Sequence, residues 1–231
     1  MQTRYCESSL EPFPSPEHAD SDGLLAIGGD LSPQRLQCAY SQGIFPWFED
    51  GQPILWWSPD PRCVLYPSQF KTSRSLRKSI NKQAFTVSFD SVFEQVIEAC
   101  AEPRTQQSGG TWITSGMRDA YCRLHELGCA HSVEVWQGTK LVGGLYGVSL
   151  GRIFYGESMF SRVSDASKFA LKSLCERLGA QGYELIDCQV ESEHLLSLGA
   201  VSVPREQFIR DMNMALEADD GFSSWAEGQI A

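Results

Sequence analysis

Hydrophobic and polar residues follow one another along this chain in patterns that switch between helical and strand periods. The run SPQRLQCAYSQ predicts a first helix, with Ser32 as its N-cap, Pro33 in its first turn and Gly43 after its end. Apolar stripes at helical spacing and alternation at strand spacing predict the other elements. The predicted helices cover residues 74–82, 91–102, 115–127, 164–179 and 192–199, and the predicted strands cover residues 84–89, 131–136, 140–148, 152–158, 185–190 and 201–204.

The order of these elements predicts an α+β fold with two domains. Helical elements, an antiparallel meander, a helix, a strand, a helix and a last strand form the layout of an N-acetyltransferase-like (GNAT-type) domain with a mainly antiparallel mixed sheet. We assign residues 63–231 to this domain and residues 1–62 to a smaller N-terminal domain. A fold of this kind does not by itself settle the function.

Tryptophan is concentrated where the two predicted domains meet. Trp47, Trp56 and Trp57 lie within 11 residues of one another, in a segment that also holds four prolines. We expect Trp56 and Trp57 to wedge the N-terminal domain onto the main one, since tryptophan is largely buried in most proteins. For Trp47, in a loop flanked by Gly and Pro, the pattern leaves open whether the ring is buried or faces a ligand.

The composition, 42% hydrophobic and 21% charged residues, is that of an ordinary globular protein. The first residues lack the apolar run of a signal peptide, and nowhere are there 18 consecutive apolar residues, so we expect a cytoplasmic protein without membrane contact. We also expect a monomer. The eight cysteines form no CxxC pair and the four histidines no HxxxH or HExxH pattern, which predicts free thiols and no metal site.

Positive charge is segregated along the chain. The net charge is −10, yet no acidic residue occurs between Arg62 and Phe89, where six basic residues lie. Four of them, Arg74, Arg77, Lys78 and Lys82, follow helical spacing and share one face of the predicted helix. A basic face can simply be solvated, but acids usually accompany it, and their absence favours phosphate binding.

The stretch LIDCQV predicts a buried strand that carries two polar side chains. Because side chains alternate along a strand, Asp187 and Gln189 are expected to face the same way, away from Ile186 and Cys188. A buried acid can merely cap backbone groups, but a carboxylate beside an amide is also suited to orienting a reacting group.

Two features of the sequence bear on the acyl donor, namely the absence of a glycine-rich turn and the presence of a basic helix together with tryptophans. An acetyltransferase would hold the coenzyme A pyrophosphate with a glycine-rich turn before the helix that follows the meander. The corresponding segment MFSRVSDASK has no glycine, which weakens the alternative of a coenzyme A-dependent N-acyltransferase. The basic helix, with Trp47 and Trp112 as rings that can stack bases, suggests an acyl group carried by RNA. Two further alternatives are a transferase that builds peptidoglycan bridges from aminoacyl-tRNA and a tRNA-binding protein without activity.

Long strings of the sequence identify a family. The segments FPSPEHADSDGLLAIGGDLSPQRLQCAYSQGIFPWF, PILWWSPDPR, GTWIT, LHELGCAHSVEVW, LVGGLYGVSLG, FYGESMFSR and LIDCQ resemble the bacterial leucyl/phenylalanyl-tRNA–protein transferases, and the resemblance runs from about residue 12 to about residue 210. It implies a cytoplasmic enzyme that moves Leu, Phe or, less readily, Met from its tRNA to the α-amine of proteins that begin with Arg or Lys. This tags those proteins for degradation by the N-degron route, and no metal or organic cofactor is implied.

The resemblance also assigns roles to residues. It makes Asp187 and Gln189 the reaction pair and places Glu157 at the aminoacyl group. The alternative role for Glu157 is a salt bridge at the end of a strand. The residues near the adenosine are Trp47, Trp112 and, more loosely, Tyr40, and the basic tRNA-binding cluster is Arg74, Arg77, Lys78 and Lys82. An apolar pocket for a Leu or Phe side chain fits Leu145, Phe154, Met159 and Ile186, although each of these could equally be ordinary core.

The chemistry implied by the resemblance makes modest demands. An aminoacyl-tRNA is already an activated ester, and an α-amine with a pKa of about 8 is partly neutral at neutral pH, so no strong base is required. The enzyme has to position the amine and guide its proton. A carboxamide is too weak a base to keep a proton, so the net acceptor is expected to be Asp187, water or the leaving ribose oxygen.

Overall fold

The computed structural model describes residues 4–6, 11–102, 113–217 and 225. Eleven strands and seven α-helices form within these residues, and the strands make up two sheets. No helix of the described residues has both the length and the apolar character needed to cross a membrane.

The smaller sheet belongs to the N-terminal part of the chain. Its four strands lie in the order β1-β2-β4-β3, and helix α1 (Pro33–Tyr40) precedes β3. The strands are β1 (Arg4–Cys6), β2 (Leu24–Gly28), β3 (Phe45–Pro46) and β4 (Leu55–Trp57). Trp56 is fully buried, meets Phe13 edge to face at 4.9 Å and donates a hydrogen bond from Nε1 to the carbonyl of Gly28 at 2.8 Å. These contacts of Trp56 lie within the N-terminal part.

The larger sheet holds the remaining seven strands in the order β11-β5-β10-β9-β8-β7-β6. They are β5 (Arg62–Leu65), β6 (Thr86–Phe89), β7 (Ala130–Gln137), β8 (Lys140–Leu150), β9 (Ile153–Ser161), β10 (Leu185–Gln189) and β11 (Val201–Val203). Every neighbouring pair is antiparallel except β9 and β10, which are parallel. The predicted α+β class with a mainly antiparallel mixed sheet is therefore confirmed.

Helices cover both faces of the large sheet. They are α2 (Arg74–Gln83), α3 (Phe93–Ala101), α4 (Ser115–Glu126), α5 (Ala166–Ala180), α6 (Glu193–Ser197) and α7 (Arg205–Glu217). One face packs against α3, α4, α7 and the N-terminal part in a cluster that we call the first core, which includes Leu36, Tyr40, Tyr121, Tyr155 and Phe208. The other face packs against α2 and α5 in the second core, which includes Leu76, Phe154, Leu171, Leu174 and Ile186.

Local signals in the sequence account for several element ends. Ser32 and Ser73 cap α1 and α2, because their hydroxyls accept hydrogen bonds from the N–H groups of Arg35 and Leu76. The strand predicted over residues 185–190 ends at Gln189, whose φ of 63° is left-handed and cannot continue an extended strand.

Candidate active site

Glu157 lies at an irregular position of the large sheet. Between β8 and β9 the register shifts, so that Tyr146 pairs with Ser158 and Gly147 with Gly156, and Glu157 has no partner across the ladder. Such a bulge re-aims a side chain. The carboxylate of Glu157 points into the first core beneath α1 and α4, where only 9% of the residue is exposed.

Three side chains donate hydrogen bonds to this carboxylate. The hydroxyl of Tyr40 donates to Oε1 at 2.8 Å, the amide Nε2 of Gln189 donates to the same oxygen at 2.8 Å, and the hydroxyl of Tyr121 donates to Oε2 at 2.7 Å. The hydroxyls of Tyr40 and Tyr121 also contact each other. The carboxylate and the two phenols thus form a closed ring with three links, and the two tyrosine protons fill two of these links when Glu157 is ionised. A proton on Glu157 fills the third.

Burial controls the proton affinity of these groups. It raises the pKa of Glu157 to about 7, because the charged form loses its hydration, and the hydrogen bonds from Tyr121, Tyr40 and Gln189 oppose this rise. The pKa values of Tyr40 and Tyr121 are raised well above their usual range, first by burial and then by the charge of Glu157. Both phenols therefore remain hydrogen-bond donors at neutral pH, while Glu157 can gain or lose a proton there.

Gln189 reaches Glu157 from the end of β10. The register of β10 against β5 shifts between Asp187, which pairs with Val64, and Gln189, which pairs with Cys63, so Cys188 is an extra residue in the strand. Regular alternation, from which the sequence predicted that Asp187 and Gln189 face the same way, does not hold across this bulge. The left-handed backbone of Gln189 and its bond to Glu157 set the direction of the amide instead.

Asp187 is fully buried, and both of its carboxylate oxygens accept hydrogen bonds from neighbouring groups. Arg62 donates from Nε to Oδ1 at 2.8 Å and from Nη2 to Oδ2 at 2.6 Å, and both side chains are 0% exposed. The N–H of Gln189 donates to Oδ1 at 2.9 Å. Asp187 and Gln189 are thus adjacent, but the link between them runs from the carboxylate of one to the backbone of the other.

The residues predicted to lie near the adenosine differ in their exposure. Trp47 is 45% exposed and its ring lies 5.8 Å from that of Trp57, so one side of it is open to solvent. Tyr40 is fully buried and bound to Glu157, which places it in the polar network and not on the surface. Trp112 lies outside the described residues.

The four residues predicted to form the side-chain pocket lie on the opposite face of the sheet from Glu157. Along β9, Phe154 belongs to the second core and its neighbour Tyr155 to the first. Ile186 alternates in the same way with Leu185 on β10, and Leu145 and Met159 also pack in the second core against the α5 side. The structure therefore keeps this group together but does not bring it to the Glu157 carboxylate.

The predicted basic face is present on α2. Leu76 and Ile80 turn toward the second core. The side chains of Arg74, Arg77, Lys78 and Lys82 are exposed, and none of the four forms an ion pair with another described residue. Four charges on one face without acidic partners leave this helix open to an anionic ligand.

Sequence reasoning missed two members of the site. Arg62 and Tyr121 contact Asp187 and Glu157 across 125 and 36 residues of sequence, and no local pattern marks such distant partners. The only hint for Arg62 is its position at the start of the acid-free segment.

One group of described residues has metal-ligating atoms close together, namely Asp90, His125 and His131, whose atoms lie within 4.8 Å of one another. Each already has a hydrogen-bond partner: Asp90 accepts from the N–H of Ser132 at 2.7 Å and lies 2.8 Å from His131 Nδ1, and His125 Nδ1 lies 2.8 Å from the carbonyl of Ala130. Hydrogen bonding explains this arrangement without a metal.

Two family models match this chain. Residues 64–213 match the leucyl/phenylalanyl-tRNA protein transferase family, and residues 29–60 match the N-terminal domain of leucyl/phenylalanyl-tRNA protein transferase. The solved structure of L-PGS from Bacillus licheniformis is 11% identical, with a TM-score of 0.41 over 74% of this chain and 56% of that one. A GCN5-related N-acetyltransferase from Kribbella flavida is 8% identical, with a TM-score of 0.37 over 72% and 59%. Similarity this distant says nothing about the chemistry of this chain.

Much closer relatives share the name leucyl/phenylalanyl-tRNA–protein transferase. The protein from Nitrosospira multiformis is 61% identical over 187 residues, covering 81% of this chain and 80% of the relative. The protein from Shewanella woodyi is 51% identical over 229 residues, covering 98% and 97%, and the protein from Desulforapulum autotrophicum is 53% identical over 205 residues, covering 89% and 90%. The chain therefore belongs to the leucyl/phenylalanyl-tRNA protein transferase family of aminoacyltransferases.

Proposed function

We propose that the protein transfers Leu or Phe, and less readily Met, from aminoacyl-tRNA to the N-terminal α-amine of proteins that begin with Arg or Lys, marking them for N-degron degradation. Membership of the family supports the transfer itself, and the choice of acceptor rests on the resemblance. The observation that carries the mechanism is the amide of Gln189, held at 2.8 Å by the carboxylate of Glu157.

The reaction is the aminolysis of an ester. The α-amine nitrogen attacks the ester carbonyl carbon, a C–N bond forms and the C–O bond to the ribose breaks. The amine loses one proton and the departing ribose oxygen gains one, so the protons balance. Because the ester is activated and the amine has a pKa of about 8, positioning contributes more than strong base catalysis.

Glu157 determines which end of the Gln189 amide faces the amine. An ionised carboxylate only accepts hydrogen bonds, so it selects the NH2 end of the amide and leaves the carbonyl oxygen as an acceptor for the attacking amine. If Glu157 is protonated, its single proton can either close the ring with the phenols or donate to the amide oxygen, and the second choice favours the reversed orientation. Ionised Glu157 is therefore the productive form in this mechanism.

The final proton acceptor is the ribose oxygen or water. Gln189 is too weak a base to keep the proton. Both oxygens of Asp187 are bound by Arg62 inside the protein, which leaves Asp187 to orient the N–H of Gln189.

The exposed basic face of α2 is our proposed contact with the tRNA backbone. Its four cations lie on the α5 side of the sheet, whereas Glu157 lies in the first core. A tRNA is large enough to contact such a surface while its acceptor end enters a different part of the enzyme. These contacts supply affinity without reading sequence.

The proposed reaction is tested with labelled Phe-tRNA and two matched peptides, one starting with Arg and one with Ala. We expect transfer to the Arg peptide and little to the Ala peptide, and no acyl transfer when acetyl-coenzyme A replaces the tRNA. Equal transfer to both peptides would contradict the acceptor choice, and transfer from acetyl-coenzyme A would contradict the donor.

Replacing Gln189 by Ala should lower the transfer rate by about 100-fold or more, because the amine loses its hydrogen-bond acceptor. The affinity for Phe-tRNA, measured by filter binding, should change little. Gln207→Ala on α7 is the matched control and should keep the normal rate. A near-normal rate in Gln189→Ala would remove this residue from the mechanism.

The rate of transfer should depend on two ionisations at acidic pH. Glu157, with its pKa raised to about 7, and the acceptor amine must both lose a proton, so log kcat/KM should rise with a slope of about 2 below about pH 6.5. Glu157→Gln removes one ionisation and should reduce both the rate and this slope, the latter to about 1. A slope of about 2 in the variant would show that another group titrates.

Charge reversal on α2 should weaken tRNA binding. Arg74→Glu and Lys78→Glu should each lower the affinity and reduce the slope of log K against log salt by about 0.7 to 0.9 for every phosphate that the helix no longer neutralises. Arg210→Glu, at an exposed position of α7 beside Glu206, is the control. Identical salt slopes in all three variants would count against the basic face.

A further inference from the structure

Arg62 lies where the N-terminal part, the large sheet and the last helix meet. Its guanidinium carbon is 4.7 Å from the ring centre of Phe45 on β3 and 4.5 Å from that of Phe208 on α7. The side chain is 0% exposed. The two aromatic rings hold the guanidinium by cation–π attraction while its edge faces Asp187.

From Arg62 a continuous line of hydrogen bonds leads to the proposed reaction site. Arg62 binds both oxygens of Asp187, and Asp187 Oδ1 accepts the N–H of Gln189 at 2.9 Å. Gln189 has a φ of 63°, which is unfavourable for a residue with a Cβ and persists only when neighbouring groups enforce it. The bond from Asp187 is placed to enforce it.

We propose that Arg62 is a positioning residue for the transfer reaction: through Asp187 it holds the left-handed backbone of Gln189 and thereby aims the Gln189 amide at Glu157. The inference rests on the proposed function for its effect on rate, but not for its effect on the backbone. Arg62 is too deeply buried to touch the substrates, so it acts only through Asp187 and Gln189.

The geometry requires arginine and not merely a positive charge. The planar guanidinium binds both carboxylate oxygens at once and fixes the rotation of Asp187, while it stays within cation–π distance of the rings of Phe45 and Phe208. A lysine at this position would keep the charge but would bind the carboxylate through a single point. The lysine variant therefore separates orientation from charge.

Arg62→Lys is compared with Arg35→Lys as a matched control. Arg35 is also a buried arginine, its guanidinium carbon is 3.5 Å from the ring centre of Phe13, and it bonds to the carbonyl of Glu11 in the N-terminal part. We expect Arg62→Lys to lower kcat about 10- to 100-fold with KM for Phe-tRNA within about twofold, because the reacting amide is then less precisely oriented. Arg35→Lys should leave kcat per folded molecule unchanged. An unchanged kcat in Arg62→Lys would overturn the proposal.

A double variant distinguishes positioning from a general loss of structure. If Arg62 acts through Gln189, adding Arg62→Lys to Gln189→Ala should lower kcat by no more than about twofold beyond Gln189→Ala alone. Independent effects that multiply would overturn the proposal. Should Arg62→Lys fail to fold, Phe208→Leu removes one of the two rings and should give a smaller loss of kcat, about threefold to tenfold, with the same non-additivity.

Hydrogen exchange tests the structural link without any assay of activity. The backbone amide of Gln189 should exchange at least about tenfold faster in Arg62→Lys than in the unmodified protein, and at the unmodified rate in Arg35→Lys. Unchanged exchange would overturn the inference even if the enzyme is active. If the unmodified protein cannot transfer Phe, faster exchange in Arg62→Lys would uphold the link from Arg62 to Gln189 and reject the proposed function instead.

Discussion

The ion pair between Arg62 and Asp187 is the constraint on which the arrangement of the site depends. Both residues are inaccessible to water, and both oxygens of the carboxylate are bonded to the guanidinium. A buried pair of this kind adds little net stability, because the attraction has to offset the lost hydration of two charges. Removing one partner is costly, however, since the other charge then remains unpaired. The pair therefore specifies a geometry more than it stabilises a fold.

That geometry connects parts of the chain that are distant in sequence. Phe45 comes from the small N-terminal sheet, Arg62 and Asp187 from neighbouring strands of the large sheet, and Phe208 from the last helix. Because Arg62 contacts the other three, correct packing of the N-terminal part and of α7 is needed to place Gln189. In the proposed mechanism this dependence gives the small N-terminal sheet a role at the reaction site, and Tyr40 on α1 is the residue of the N-terminal part that contacts Glu157 directly.

Glu157 provides the second constraint. A buried carboxylate surrounded by two phenols and an amide is neither a surface charge nor an ordinary salt bridge. Burial brings its pKa to about 7, so its protonation state and its hydrogen-bonding pattern can both change near neutral pH. In the proposed mechanism the orientation of the Gln189 amide depends on that pattern, so the electrostatics of the first core would control how the amine is positioned. The second core, on the other face of the sheet, packs the predicted pocket residues and supports the basic helix.

The amino-acid sequence did not predict strands β1–β5 or helix α7, but by itself it determined α1 with its serine cap, the elements from α2 to β11, the α+β class, the basic face of α2 and the polar character of LIDCQV. These features depend on periodicity and on near neighbours, which a sequence displays directly. Only the tertiary structure decided how the polar residues are used. The bulge after Asp187 and the left-handed Gln189 replaced the expected alternation, and Tyr40, 117 residues away from Glu157 along the chain, became one of its hydrogen-bond donors. Partners so far apart meet only when the N-terminal part packs on the large sheet, because burial and long-range hydrogen bonds depend on neighbours in space and not on neighbours in the sequence.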